Sequence, residues 1–276
     1  MNWQNERHHG MSKPSIGIIG LGNVGQALSL GLSQTPYEDP VLACDRNQPK
    51  RDWVEGHTGI ETTPDWKHVL QHAEITLLCV RTEQVQRLLK EATSFLGPSD
   101  LLVSLSAGIQ LNDLQQTVAE TGCEVMRAIT NVNVATREGY TIVLGNRPFA
   151  SDSGRKEQVV QIFESLGDLR LTDSEEALDE RSVITGCVPA LTALFLEALA
   201  ASGEEVGFEE EEAKRMAAQC VQATLKTMRE AGVSPSEYKY GVAAPGGAVE
   251  RVLEGSESND VKEATSSWFR SILTSL

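Results

Sequence analysis

A glycine-rich segment near the start of the chain has the spacing of a dinucleotide-binding turn, GxGxxG. The residues predicted to form it are Gly20, Gly22, Asn23, Val24 and Gly25. Glycines in such a turn let the backbone approach a pyrophosphate, whose charge is stabilised by free N–H groups at the start of the following helix. The setting supports this interpretation, because residues 15–20 are a β-branched run typical of a buried strand and residues 24–32 have helical spacing.

Residues at the ends of the next two predicted strands bear on the choice of cofactor. Asp45, at the end of the strand predicted for residues 40–45, could accept a hydrogen bond from a ribose 2′-hydroxyl, which favours NADH. Arg46 could pair with a 2′-phosphate, which favours NADPH, or it could be an ordinary solvent-facing arginine. We expect NADPH or NADH, with NADPH slightly favoured. Val80 and Arg81 follow the third strand at the carboxyl edge of the sheet, where a bound nucleotide lies.

A second glycine pair stands at the start of a predicted helix late in the chain, in residues 243–254 (AAPGGAVERVLE). Glycine costs a helix roughly 1 kcal/mol relative to alanine, so the pair calls for a reason. Main-chain N–H groups at a helix start, unobstructed by side chains, are suited to a carboxylate. We therefore expect Gly246, Gly247 and Ala248 to bind the carboxylate of a substrate.

The elements that must position these residues fall into two groups. Strands alternate with helices up to residue 173, which predicts an α/β, Rossmann-type, doubly wound parallel sheet. From residue 174 onward the sequence indicates helices only, with long alanine-rich ones at residues 189–202 and 209–231 that end at Gly203 and Gly232. The sequence thus predicts a disordered leader at 1–12, a dinucleotide-binding domain at 13–173 and an all-α dimerisation domain at 174–276.

Composition excludes several classes of partner. The 276 residues carry a net charge of −15, which repels nucleic acid and anionic membranes. The polar first ten residues are not a signal peptide, and the apolar run at 188–201 is too short to span a bilayer. Five scattered cysteines indicate a reducing compartment. We expect a cytoplasmic protein with a small-molecule substrate, and no nucleic-acid or membrane partner.

The order of segments resembles the pyrroline-5-carboxylate reductase family over nearly the whole chain from residue 16. The glycine turn comes first, and residues 103–109 (VSLSAGI) are similar to the family's serine-alanine-glycine strand end. Residues 127–133 (RAITNVN) and 185–190 (TGCVPA) occupy the places of two further family motifs. The Pro-Gly-Gly at residues 245–247 is the most specific element.

The resemblance implies NAD(P)H-dependent reduction of a cyclic imine, 1-pyrroline-5-carboxylate, to L-proline. It also implies that Ala107 and Gly108 contact the cofactor, and that the helical domain of one subunit helps to complete the active site of another, in a homodimer or a higher homo-oligomer. Because a cyclic imine can bind already protonated, a dedicated general acid is less necessary than for a ketone. If a donor is needed, the candidates are Asn131, Thr185 and Cys187, with Tyr240 as a further one.

The substrate half departs from the family pattern. Val249 stands where family members have a hydroxyl residue near the substrate, and Ala243 and Ala244 replace serines. Cys187 and Val188 replace a serine and a glycine. We therefore assign Val249 to the substrate site and expect that site to be less polar than in the family.

Three other functions are alternatives to this one. A β-hydroxyacid dehydrogenase shares the two-domain layout but uses a lysine in the helical half, where this chain has none between Lys156 and Lys214. A related imine reductase with another substrate and a non-catalytic NAD(P)-binding regulatory protein both stay open. All five histidines precede residue 73, so we expect neither a metal site nor a histidine acid between the domains.

Overall fold

The computed structural model describes residues 15–36, 40–145, 154–258 and 261–273. The predicted leader at 1–12 lies outside these ranges. By its internal contacts the chain divides into two compact units, one ending at Gly186 and one beginning at Cys187.

The first unit contains an eight-stranded sheet in the order β3-β2-β1-β4-β5-β6-β7-β8. The strands are β1 (Ile16–Ile19), β2 (Val41–Cys44), β3 (Glu61–Thr63), β4 (Ile75–Leu78), β5 (Leu101–Ser104), β6 (Glu124–Ile129), β7 (Gly139–Leu144) and β8 (Gly167–Thr172). The chain moves outward from β1 to β3 and then returns to the other side of β1, which creates a topological switch point between β1 and β4. The predicted Rossmann-type sheet is confirmed.

Helices cover both faces of this sheet because its strands are apolar on both sides. They are α1 (Asn23–Ser33), α2 (Gln48–Thr58), α3 (Trp66–His72), α4 (Thr82–Ala92), α5 (Leu111–Val118) and α6 (Arg155–Glu164). Alternate strand residues enter opposite cores: Leu101 and Val103 pack in the cluster that contains Phe163, and Leu102 packs with Val85. The rigid sheet fixes the loops at its carboxyl edge.

The sheet is parallel, as predicted, except at one pair of strands. Strands β6 and β7 are antiparallel, with Ala128 opposite Val143. Only a short 3₁₀ segment (Val132–Thr136) occupies the connection, and a connection of this length cannot form the crossover that parallel strands require. Strands β3 and β8 were not predicted. Both are edge strands, and their polar residues leave no continuous apolar run.

The second unit consists of helices joined by short turns, with no strand among the residues that the structure describes there. Helix α7 (Glu175–Glu205) runs from the first unit into the second and is followed by α8 (Glu210–Ala231), α9 (Pro235–Gly241), α10 (Ala248–Ser258) and α11 (Val261–Leu273). The predicted start at Pro189 and stop at Gly203 are wrong, since both residues lie inside α7. The positive-φ glycine that follows α7 is Gly207 (φ 98°). Gly232 does end α8, in the left-handed conformation.

The division at Gly186 comes later in the chain than the predicted boundary at residue 173. The reason is that the first turns of α7 bond to the sheet, through Arg127 to Glu175 and Asp179. The boundary at 173 between sequence domains stays a prediction.

The second unit leaves large apolar side chains exposed, among them Leu194, Phe195, Leu225, Val252 and Trp268. An 18-residue window of α7 has a mean hydropathy of 1.9 and is only 11% buried. By length and composition alone α7 could span a membrane. The prediction had considered only the run at 188–201, which is shorter and did not indicate this. A helix covered by another subunit has the same composition.

Candidate active site

The three positions of the GxGxxG turn are glycine for different structural reasons. Gly20 has φ +101°, and a Cβ there would lie 2.8 Å from the Cys79 carbonyl oxygen. A Cβ on Gly25 would lie 2.0 Å from the Gly20 carbonyl oxygen. A Cβ on Gly22, by contrast, would meet no protein atom within 4 Å. Gly20 and Gly25 are therefore required by the packing of the turn itself, whereas Gly22 faces open space.

The start of α1 is arranged as a phosphate-binding helix terminus. Gly22 is the N-cap residue and has extended dihedrals, with no side-chain hydrogen bond to the first turn formed by Asn23, Val24 and Gly25. The N–H groups of a first helical turn have no intrahelical partner and carry the positive end of the helix dipole. The open space at Gly22 lies at this terminus, so the turn fits the pyrophosphate of a dinucleotide.

Asp45, the residue predicted for a ribose hydroxyl, joins the glycine turn to the segment after β2. Its Oδ2 accepts a hydrogen bond from the Leu21 N–H at 2.8 Å, and its Oδ1 accepts one from the Asn47 N–H at 2.9 Å. The Lys50 Nζ lies 3.6 Å from Oδ2. Each carboxylate oxygen accepts one backbone N–H and keeps a second lone pair, so the assignment of Asp45 to a ribose hydroxyl stays a prediction.

A cleft of about 410 Å³ lies beside the switch point, at the carboxyl ends of β1, β2 and β4. Its cationic side chains outnumber its anionic ones, Asp45 and Glu91, although the whole chain is acidic. Arg87 is paired with Glu91, its Nε lying 3.1 Å from the carboxylate. The cationic residues of the lining are Arg46, Lys50, Arg81 and Arg87.

The structure thus brings the predicted Gly20, Asp45, Arg46, Val80 and Arg81 together around one cleft. The sequence reading missed the lysine and the tryptophan of the lining, Lys50 and Trp66. Lys50 could have been predicted from the sequence, because a lysine in the first turn of the helix after β2 must lie near the end of that strand.

Ala107 and Gly108, implied by the resemblance to contact the cofactor, lie in the loop after β5. Gly108 has φ +71°, and the Ala107 carbonyl accepts a hydrogen bond from the Thr82 hydroxyl at 2.7 Å. A second bond runs from the Ser106 hydroxyl to the Val80 carbonyl at 2.6 Å. These bonds hold the loops after β4 and β5 together at the carboxyl edge of the sheet.

Arg127 of β6 is completely buried and forms two ion pairs with α7. Its guanidinium contacts Glu175 Oε1 at 2.6 Å and Asp179 Oδ1 at 2.7 Å. The two carboxylates are four residues apart and share one face of the helix. Glu175 Oε1 also accepts the Leu111 N–H at 2.8 Å, so the start of α5 joins the same network. The sequence reading assigned no partner to Arg127, because these contacts cross about 50 residues of chain.

Asn131 and Thr185, two candidate proton donors, lie in contact. The Asn131 Nδ2 donates to the Thr185 carbonyl oxygen at 3.1 Å. The Asn131 Oδ1 accepts from the N–H groups of Asn133 at 3.2 Å and Tyr140 at 3.4 Å. The Thr185 hydroxyl points back to the Ser182 carbonyl at 3.3 Å. Thr185 lies inside α7, so it does not cap that helix. The catalytic roles stay predictions.

The Pro-Gly-Gly segment directly precedes α10, which begins at Ala248, so the glycine pair stands at a helix start as predicted. The Gly246 N–H donates to the Glu250 Oε2 at 2.7 Å, and the Gly247 N–H donates to the Ala244 carbonyl oxygen at 2.9 Å. A carboxylate of the chain itself therefore occupies a donor that we predicted for a substrate carboxylate. Val249 is 41% exposed beside them. The sequence reading overlooked Glu250, although four residues is the spacing at which a side chain reaches back one helical turn.

The thiols near the dinucleotide cleft cannot act as nucleophiles at neutral pH. Burial raises the pKa of Cys79 to about 12, and burial together with the nearby Asp45 carboxylate raises the pKa of Cys44 to about 12. Both thiols therefore stay protonated. Among the described residues, no cluster of three or more His, Cys, Asp and Glu side chains could hold a metal ion. Cys187, the third donor candidate, lies in α7 in the second unit.

Two family models match the chain. Residues 175–274 match the pyrroline-5-carboxylate reductase dimerisation family, and residues 15–108 match a family described as NADP oxidoreductase, coenzyme F420-dependent. The first match covers α7 to α11, and the second covers the glycine turn and the cationic cleft. The chain is thus an NAD(P)-dependent oxidoreductase that associates with copies of itself through its helical part.

Relatives and solved structures agree with these matches. The chain is 28% identical to a pyrroline-5-carboxylate reductase of Aquifex aeolicus over 84% of each chain, and 26% identical to one of Corynebacterium melassecola over 91% of this chain and 93% of the relative. Its fold matches a Plasmodium falciparum pyrroline carboxylate reductase with NADP bound, at a TM-score of 0.82 and 22% identity, over 96% of this chain and 98% of the other. Together these matches support a divergent member of the pyrroline-5-carboxylate reductase family.

Proposed function

We propose that this protein reduces 1-pyrroline-5-carboxylate to L-proline with NADPH. The observation that carries the proposal is the dinucleotide turn, in which Gly22 faces open space at the start of α1, in a chain whose family acts on this imine. The cofactor supplies a hydride, and one proton completes the reduction of the C=N bond. An imine that binds as its protonated form already carries that proton, so the chain need only hold the two reactants in place.

Binding of the substrate carboxylate is assigned to the main-chain N–H groups of Gly246, Gly247 and Ala248. Because Glu250 accepts from Gly246, its carboxylate must move away before a substrate carboxylate can use that donor. Val249 supplies apolar contact in this proposal, where the family pattern has a hydroxyl. Asn131, Thr185 and Cys187 remain the candidate donors.

The test is steady-state oxidation of NADPH and NADH by the purified protein with 1-pyrroline-5-carboxylate. Saturable turnover is the expected result, and Val249→Thr should raise kcat/KM several-fold, since a hydroxyl restores a hydrogen bond worth about 1 kcal/mol. Absence of turnover by the wild type and by Val249→Thr, with NADPH binding still detected by fluorescence, would contradict the proposal.

A related imine reductase with a less polar substrate is the second candidate function. The replacement of hydroxyl side chains by Ala243, Ala244 and Val249 favours it. Turnover of other cyclic imines in the same assay, without turnover of 1-pyrroline-5-carboxylate, would select it. NADPH binding without reduction of any imine would select a regulatory role.

We expect the cationic cleft to make NADPH the preferred cofactor. We assign the 2′-phosphate to Arg46, and Lys50 and Arg81 share its cleft. A hydrogen bond to a charged group contributes about 1.5–3 kcal/mol, so Arg46→Ala should weaken NADPH binding roughly ten- to a hundredfold. NADH lacks the phosphate, and its dissociation constant should change less than about twofold.

Isothermal titration with each cofactor measures this preference. The matched control is Lys90→Ala, which removes an exposed cation of α4 that does not line the cleft and should leave both affinities unchanged. An equal loss for NADPH and NADH in Arg46→Ala would mean that Arg46 does not read the phosphate.

The protein's cellular setting forms part of the same proposal. All five cysteines are free thiols, which supports a reducing, cytoplasmic location. The acidic surface argues against nucleic acid and anionic membranes as partners. The exposed apolar side chains of the second unit, α7 included, are then covered in the homo-oligomer.

A further inference from the structure

Helix α7 lacks one of its own hydrogen bonds. A carbonyl in an α-helix accepts the N–H of the residue four positions later. Pro189 lies inside α7 and has no N–H, so the Thr185 carbonyl oxygen has no intrahelical donor at that position. A carbonyl deprived of its helical partner must find another donor or lose stability.

The side chain of Asn131 supplies that donor. Its Nδ2 lies 3.1 Å from the Thr185 carbonyl oxygen, and the residue is only 8% exposed. The Oδ1 is held on the opposite side by the N–H groups of Asn133 and Tyr140. Because both of those partners are donors, the amide must present its NH₂ to Thr185 and cannot be reversed.

We infer that Asn131 is a positioning residue, which completes α7 at the turn that Pro189 interrupts and holds the Thr185–Gly186 turn in place for the reaction. The inference rests on the proposed function for its catalytic part. It also accounts for two features of the sequence together, the asparagine after β6 and the proline inside a helix. Arg127, four residues earlier, holds the first turns of the same helix.

A double-mutant cycle on stability tests the structural part. Asn131→Ala removes the donor, and Pro189→Ala restores a backbone N–H to the Thr185 carbonyl. We expect Asn131→Ala to lower the equilibrium constant for folding at least about tenfold in the wild type, with a clearly smaller loss in the Pro189→Ala background. The cost of losing the Asn133 and Tyr140 bonds is common to both backgrounds and cancels. Equal losses in the two backgrounds would overturn the inference.

A second variant guards against failure to fold. Asn131→Asp keeps the Oδ1 acceptor and replaces the donating NH₂ with a second, negatively charged oxygen that cannot donate to the Thr185 carbonyl. If Asn131→Ala does not fold, Asn131→Asp is compared with and without Pro189→Ala. Folding of Asn131→Asp only when Pro189→Ala is also present supports the inference. Failure of Pro189→Ala to improve either variant refutes it.

The catalytic part is tested by separating turnover from cofactor binding. Asn131→Ala should lower kcat about tenfold while the NADPH dissociation constant changes less than about twofold, because the dinucleotide turn is not touched. Asn133→Ala is the control, since its exposed side chain lies on the same segment, and it should behave as wild type. An unchanged kcat would remove the positioning role in the reaction. If the wild type reduces no imine, the proposed function fails, and the stability cycle still decides the structural part.

Discussion

Gly25→Ala is expected to weaken NADPH binding roughly a hundredfold or more and to lower the free energy of unfolding by about 1–3 kcal/mol. The new Cβ would lie 2.0 Å from the Gly20 carbonyl oxygen. A backbone atom cannot rotate away as a side chain does, so the turn must move and its pyrophosphate-binding N–H groups move with it. Titration with NADPH and urea denaturation measure the two effects.

Two further alanine substitutions separate the causes. Gly22→Ala meets no protein atom within 4 Å, so its stability should stay within about 0.5 kcal/mol of wild type while NADPH binding still weakens. Gly56→Ala, in α2 and also open to space, should bind NADPH normally and gain up to about 1 kcal/mol of stability. Normal NADPH binding by Gly25→Ala would contradict the role of the turn.

Arg127→Met should lower the free energy of unfolding by about 3 kcal/mol. Removing one partner of a buried ion pair typically costs about 3–5 kcal/mol, because the other charge is left without compensation. The lower end applies here, since Glu175 and Asp179 are 25% and 18% exposed and keep some hydration. Chemical denaturation at neutral pH measures the loss.

Neutralising the carboxylates gives the matching test. In the Arg127→Met background, Glu175→Gln with Asp179→Asn should recover part of the lost stability, because the uncompensated charges are gone. Arg87→Met is the control: it breaks the exposed Arg87–Glu91 pair and should change stability by less than about 0.5 kcal/mol. A similar loss from Arg87→Met and Arg127→Met would show that burial of the network does not matter.

The cofactor half could be predicted from the sequence because its signals are local. The glycine spacing, the strand before it and the helix after it lie within about 20 residues, and the order of the motifs agreed with the family. The edge strands β3 and β8 escaped prediction because short polar strands have no distinctive pattern. The antiparallel direction of β7 was not predicted, because strand direction depends on how the connection closes rather than on the strand's own residues.

The candidate site shows the same division at the level of single residues. Asp45 lies in the cleft lining, but its partners in the turn and in α2 became visible only in three dimensions. Pro189 predicted a helix start by its local rule. That rule fails here because Asn131, more than 50 residues away, donates to the carbonyl that the proline leaves free.

By itself, therefore, the sequence determined the Rossmann-type class of the first part, the helical nature of the second, the dinucleotide turn and the family. These features depend on periodicity and spacing along the chain, which local physical chemistry translates directly into structure. Only the tertiary structure decided what Asp45, Arg127, Asn131 and Glu250 contact. The partner of a buried polar group is whichever donor or acceptor the fold brings within 3 Å, and no local pattern specifies it.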